Sequence, residues 1–210
     1  MKRRTKIIVG VVLATAGAAG VFALRTNTVT YETPEYEVVE RLGDIEIRRY
    51  SPYIVAETMV DGDAQDAGNQ GFRILAGYIF GANQPAEKIA MTAPVNQAPE
   101  RIAMTAPVTQ DARGDRFAIQ FMMPSKYRME DLPTPNDARI KFRELPARQL
   151  AAIRYRGTWS KRNYENNLAK LYAELRSQGL EPKGEPIWAR YDPPFKPWFL
   201  RRNEILTEYE

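Results

Sequence analysis

Residues 45–60 and 140–155 carry the same pattern, and this constrains the fold more than any other feature of the chain. Each copy has two runs of alternating apolar and polar residues about a proline, Pro52 or Pro146. A helical stretch of similar length follows each pair, and then another strand. Alternation puts every second side chain on one face, the mark of a half-buried strand. In the first half, residues 36–42 and 44–50 form two strands joined at Gly43, and 53–60 form a third. Residues 64–80 follow with helical spacing. Ala64, Ala67, Gly68, Gly71, Phe72, Leu75, Tyr78 and Ile79 make one stripe. Its glycines weaken the helix, so packing must hold it. Residues 87–95 and 116–124 read as strands. In the second half, 139–145 and 149–155 are strands. A helix at 160–178 turns Tyr164, Leu168, Leu171 and Leu175 inward and stops at Gly179. A strand at 186–191 and a last one containing Ile205 complete the chain. The expectation is an α+β fold in which a β-β-α-β unit occurs twice about a pseudo-two-fold axis.

A second repeat is shorter and closer. Lys88-Ile-Ala-Met-Thr-Ala-Pro-Val95 recurs at Arg101-Ile-Ala-Met-Thr-Ala-Pro-Val108, offset by 13, with seven of eight positions identical. A solenoid needs at least three copies, so this is a local duplication.

The amino terminus stands apart. Lys2, Arg3, Arg4 and Lys6 precede an uncharged apolar run of 18 residues, Ile7 to Leu24. That length just crosses a hydrocarbon core, and the basic flank keeps the terminus in the cytoplasm. A cleaved signal peptide fits as well, with Ala16-Gly17-Ala18 matching the A-x-A pattern. Either way the chain is expected to be exported, periplasmic or otherwise extracytoplasmic, held by one N-terminal membrane helix or released. Residues 1–24 are thus signal or anchor, 25–35 a polar linker, and 36–210 the domain. Without those four basic residues, the other 26 basic side chains of the chain's 30 match its 26 acidic ones. The domain lacks the basic excess of a nucleic-acid binder, and no nucleic-acid partner is expected. The chain has no Cys and no His. This removes disulfides, the usual zinc sites, and Ser–His or Cys–His catalysis.

The string IAMTAPV, the stretch Phe121-Met-Met-Pro-Ser-Lys-Tyr127 leading to Glu130-Asp-Leu-Pro133, and the tail Tyr191-Asp-Pro-Pro-Phe-Lys-Pro197 with Arg201-Arg-Asn-Glu-Ile205 occur in this order. Together they resemble the SOUL haem-binding family over about 36–210. The resemblance implies a distorted β-barrel flanked by two helices, related to gyrase-inhibitor-like effector-binding domains. It also implies haem or another tetrapyrrole, bound non-covalently in an apolar groove beside the first helix, with basic residues at the propionates and no obligatory protein ligand on iron. Those basic positions fall on Asn69 and Gly77, and another branch's axial His has no counterpart here.

On the first helix, Asn69, Arg73, Ala76, Gly77 and Phe80 share a face distinct from the core stripe. Ala76 and Gly77 are small enough for a flat ligand to approach, and Arg73 can meet a carboxylate at its rim. In the proline-rich loop at 192–200, Phe195, Lys196, Trp198 and Phe199 either wall a pocket or cap the core. Met91 and Met104 are thioethers able to ligate iron, or adaptable core residues; Tyr127 is a further possible ligand. Arg201-Arg202-Asn203-Glu204 reads either as an anion clamp or as a network fixing the last strand. A hydrolase would draw on Glu57, Glu144, Tyr155, Trp159 and Trp188, which nothing in the sequence brings together. The expectation is a non-enzymatic tetrapyrrole carrier, buffer or sensor. The alternatives are a module for another apolar or planar ligand, or a small-molecule hydrolase.

Overall fold

The computed structural model describes residues 31–85 and 99–210. The N-terminal segment and the expected strand at 87–95, with Met91 and the first IAMTAPV copy, lie outside the described residues. Among the described residues, no helix is long and apolar enough to cross a membrane.

The elements, in chain order, are β1 (Tyr36–Leu42), β2 (Ile45–Tyr50), β3 (Tyr53–Asp61), α1 (Ala64–Ile79), β4 (Asn83–Gln84), β5 (Val108–Arg113), β6 (Arg116–Met122), β7 (Thr134–Pro135), β8 (Lys141–Leu145), β9 (Arg148–Tyr155), α2 (Lys161–Ser177), β10 (Pro182–Arg190) and β11 (Asn203–Tyr209). Nine strands form one curled antiparallel sheet in the order β1-β2-β9-β11-β10-β5-β6-β3-β8, while β4 and β7 form a separate two-residue pair. The sheet is a half-barrel open at β1 and β8, where the sequence suggested a barrel. Apart from β1, its order is symmetric about the β10–β5 seam. β2 and β8 correspond, as do β9 and β3, β11 and β6, and β10 and β5. The unit that recurs is therefore β-β-α-β-β, one strand longer than expected.

The extra strand in the first unit is β5. It escaped the pattern because it buries polar residues: Gln110 and Asp111 are both buried, so apolar alternation fails. The expected linker is also shorter at its domain end. Glu32 bridges Thr105, the Glu35 carbonyl accepts from Ser51 N at 3.0 Å, and Pro34 is buried.

Both helices lie on one face of the sheet. α1 starts where the Asp63 carboxylate accepts from Gln65 N and Asp66 N, each at 2.9 Å. It packs on β3 and β6 through Ala67, Leu75, Tyr78 and Ile79 against Ala56, Ile119 and Phe121. Gly71 allows this closeness: a Cβ there would lie 2.3 Å from Ile119 Cγ1. α2 is capped by Ser160 Oγ and stopped at Gly179, whose φ is +74°. It packs Leu171 and Leu175 onto Ile45, Ile47, Ala151, Ile153 and Ile205. A third cluster, Tyr50, Leu150, Ala152, Ala189 and Leu206, fills the opposite face. Because α1 covers β3 and β6 while α2 lies mainly over β9 and β11, the central strands β10 and β5 face a gap between the helices.

Candidate functional site

On β10, alternation sends Ala189 into the core cluster of the far face and turns Trp188 and Arg190 into the gap. There an apolar groove of about 150 Å³ is lined by Gly68, Asn69 and Phe72 of α1, Met104 to Ala106 and Val108, Trp159, Arg190 to Pro194, and Tyr31.

Arg190 is the group to explain. Its guanidinium stacks on Trp188 at 4.1 Å and over Trp159 at 5.2 Å. Among the described residues its guanidinium makes one hydrogen bond, from Nη2 to Gln110 Oε1 at 3.3 Å. Among the described residues, its buried Nε has no partner and no carboxylate pairs with the group. Burial pushes the group down to about 10, so it stays charged at neutral pH. Gly68 makes room for it: a Cβ there would sit 2.7 Å from Gln110 Oε1 and 3.0 Å from Arg190 Nη1. A cation held against aromatic faces, with a donor unsatisfied, is suited to a carboxylate on a flat apolar ligand.

Behind the groove a charged network ties β2 to β11. Arg48 Nη1 donates to Glu204 Oε2 at 2.7 Å, Arg202 Nη2 to Glu204 Oε1 at 2.7 Å, and Tyr191 Oη to Glu204 Oε2 at 2.9 Å. Of the two sequence readings of 201–204, this geometry is that of a strand-fixing network. Trp159 Nε1 donates to Asn203 Oδ1 at 2.8 Å, which anchors the groove wall to β11.

The other sequence candidates are dispersed. Asn69 lines the groove together with Asp192, Pro193 and Pro194, so one residue of the helix face and the start of the proline-rich loop share it. Arg73 and Gly77 are exposed on α1 and are not among the groove's lining residues, Ala76 turns into the core, and Phe80 projects at the helix end. Lys196 Nζ pairs with Asp192 at 2.6 Å, while Phe195, Trp198 and Phe199 point into solvent. Met104 lines the groove and packs against the core. Tyr127 Oη bonds the Glu100 carboxylate at 2.5 Å. Glu57 is held by Gln120 at 2.7 Å and Arg143 at 2.9 Å, and Glu144 is exposed; neither lines the groove. Among the described residues, no three acidic side chains cluster as a metal site. Arg190 was missed in the sequence, although the alternation of Ile187-Trp-Ala-Arg-Tyr191 puts it beside Trp188 on the face opposite Ala189.

Fold and groove together define a curled-sheet α+β domain with a cation set into an apolar cleft between two helices. The chain belongs to the SOUL heme-binding protein family, which it matches over residues 31–208. It is similar to heme-binding protein 1 of Xenopus laevis, 28% identical over 76% of this chain and 80% of the relative. It is also similar to human heme-binding protein 2, 28% identical over 85% of this chain and 90% of the relative. Among solved structures, the C-terminal domain of EcmrR shares the fold at a TM-score of 0.56 and 13% identity, covering 83% of this chain and 98% of that one.

Proposed function

We propose that this chain binds haem or a related carboxylate-bearing tetrapyrrole at the α1 groove, as a carrier, buffer or sensor. The observation that carries this reading is Arg190, a partly unsatisfied guanidinium in an apolar cleft. The names of the relatives point to the same ligand. When bound, haem supplies iron-centred redox and ligand chemistry; the chain supplies burial and charge.

The residues fit the group. Phe72, Val108 and Trp159 offer apolar faces, Arg190 receives a propionate, and the Asn69 amide sits at the rim. With no His or Cys in the chain, the Tyr191 hydroxyl committed to Glu204 and the groove's Met104 packed against the core, binding rests on the macrocycle and its carboxylates. The groove's 150 Å³ is below the roughly 300–1,000 Å³ of pockets that enclose a ligand, so these residues would hold only part of a macrocycle and leave the rest to solvent. The same small volume favours a second reading, a smaller planar acid.

The test is a haemin titration of the purified chain, followed by Soret absorbance, with Arg190→Gln in parallel. Saturable micromolar binding is expected, weakened about tenfold in the variant by loss of one charged hydrogen bond. Absence of saturation defeats the tetrapyrrole reading. Binding that is unchanged in Arg190→Gln defeats this placement of it.

A further inference from the structure

We infer that the loop at 192–200 is a membrane-docking element that seats the domain on an anionic lipid surface. The inference is independent of the tetrapyrrole reading. It takes residues 7–24 as a membrane segment, one of the two readings that the sequence leaves open.

Phe195, Trp198, Phe199 and Leu200 are 86%, 56%, 53% and 48% exposed, and they supply four of the seven large exposed hydrophobic residues among those described. The other three are scattered singly, which is ordinary for a surface; four within one short loop are not.

Nor does the loop flex to hide them. Pro193, Pro194 and Pro197 stiffen it. Asp192 Oδ2 accepts from Arg202 N at 2.6 Å while Oδ1 receives the Lys196 ammonium. Arg201 closes the turn from within, donating to the carbonyls of Lys196 and Pro194. Trp198 and Phe199 meet edge to face at 5.6 Å. The loop is thus already ordered in its exposed form, and docking costs little further entropy.

Its chemistry suits a lipid interface. Trp favours the headgroup level. With Arg202 paired to Glu204, Lys196 and Arg201 stand against a single acid, Asp192, which leaves the loop one net positive charge for an anionic surface. Chain connectivity brings the bilayer within reach. Tyr31 lines the same groove as Pro193 and Pro194. From Leu24 to Tyr31 the chain spans at most about 25 Å at 3.6 Å per residue. A segment ending at Leu24 in a bilayer would tether the domain by that length of chain, which raises the effective concentration of lipid around it.

The test reconstitutes the full chain into vesicles of phosphatidylglycerol and brominated phosphatidylcholine and compares its tryptophan quenching with that of Trp198→Phe. The wild type should be quenched, and the variant should lose most of that quenching, because Trp188 is buried and Trp159 is part of the groove wall. Equal quenching in both overturns the docking inference. Resistance to alkaline extraction reports the anchor separately, so an anchored chain with an unquenched Trp198 sinks docking alone. A mature terminus near Ala19 would instead remove the anchor. Docking would then be decided by sedimenting the mature chain with phosphatidylglycerol vesicles. At least about tenfold more binding than the Phe195→Ser, Phe199→Ser double variant supports it; equal binding overturns it, as for a loop that serves a protein partner.

Discussion

Arg48 and Glu204 are 156 positions apart in the chain and 2.7 Å apart in the fold, both almost completely buried. Burial alone would raise the Glu204 carboxyl, but Arg48 and Arg202 outweigh it and hold the group below the usual carboxylate range. Removing one partner leaves the other charge buried without compensation. Glu204→Gln should therefore destabilise the domain by about 3–5 kcal/mol, read as a lowered urea midpoint.

The same pair sets the acid limit. A carboxyl whose folded-state pKa is depressed contributes stability above its unfolded value near 4.5 and loses it as pH falls through the folded pKa. Urea midpoints measured downward from pH 6 should fall below about pH 4.5, and more steeply in the wild type than in Glu204→Gln. Parallel slopes would show that other carboxylates govern acid unfolding.

Arg190 should trade stability for binding. Its largely buried guanidinium has no acidic partner among the described residues, so Arg190→Met should stabilise the ligand-free domain by roughly 1 kcal/mol, a rise of about 2–4 °C in Tm. The same change should weaken haemin. A lower Tm would mean that its stacking on Trp188 outweighs its desolvation.

Three glycines of α1 separate packing from ligand access. Gly71→Ala drives a methyl into Ile119 and should cost about 1–3 kcal/mol. Gly68→Ala should displace Arg190 and weaken haemin. A Cβ at Gly77 meets nothing within 4 Å, so Gly77→Ala should stabilise the helix by about 0.5–1 kcal/mol and leave haemin affinity unchanged. Reduced affinity in that variant would move the ligand onto the exposed face of α1.

If the macrocycle supplies the affinity, iron contributes little. Iron-free protoporphyrin should bind nearly as well as haemin, since burial of roughly 25 cal/mol per Å² does not depend on the metal. Met104→Leu should leave the Soret band in place. A shifted band in that variant would put the thioether on iron.

Much of the fold is legible in the sequence, because most of its elements announce themselves by period. The core stripe of α1 is the buried one, and α2 ends at its glycine. What escapes is where polar residues are buried. β5 hides Gln110 and Asp111, and β11 hides Asn203, Glu204 and Thr207, so neither strand reads as apolar alternation. The groove escapes in part for a related reason. Its cation comes from β10, more than a hundred residues from the α1 face it meets, and spacing within one helix cannot register that approach. Asn69 is recognisable from the resemblance, but of the proline-rich loop it is Asp192 to Pro194 that line the groove and not the expected residues 195–199, and Arg190 is not recognisable at all.

The strand order has a consequence for how the molecule comes apart. β2 pairs with β9 and β3 with β8, so each half lends its first strand to the other, and β5 joins β10 at the centre. The halves are laced together at three seams, and neither keeps a complete sheet when the other unravels. The cleft at the middle seam shares that fate: a ligand held there braces both halves at once, and opening either one releases it.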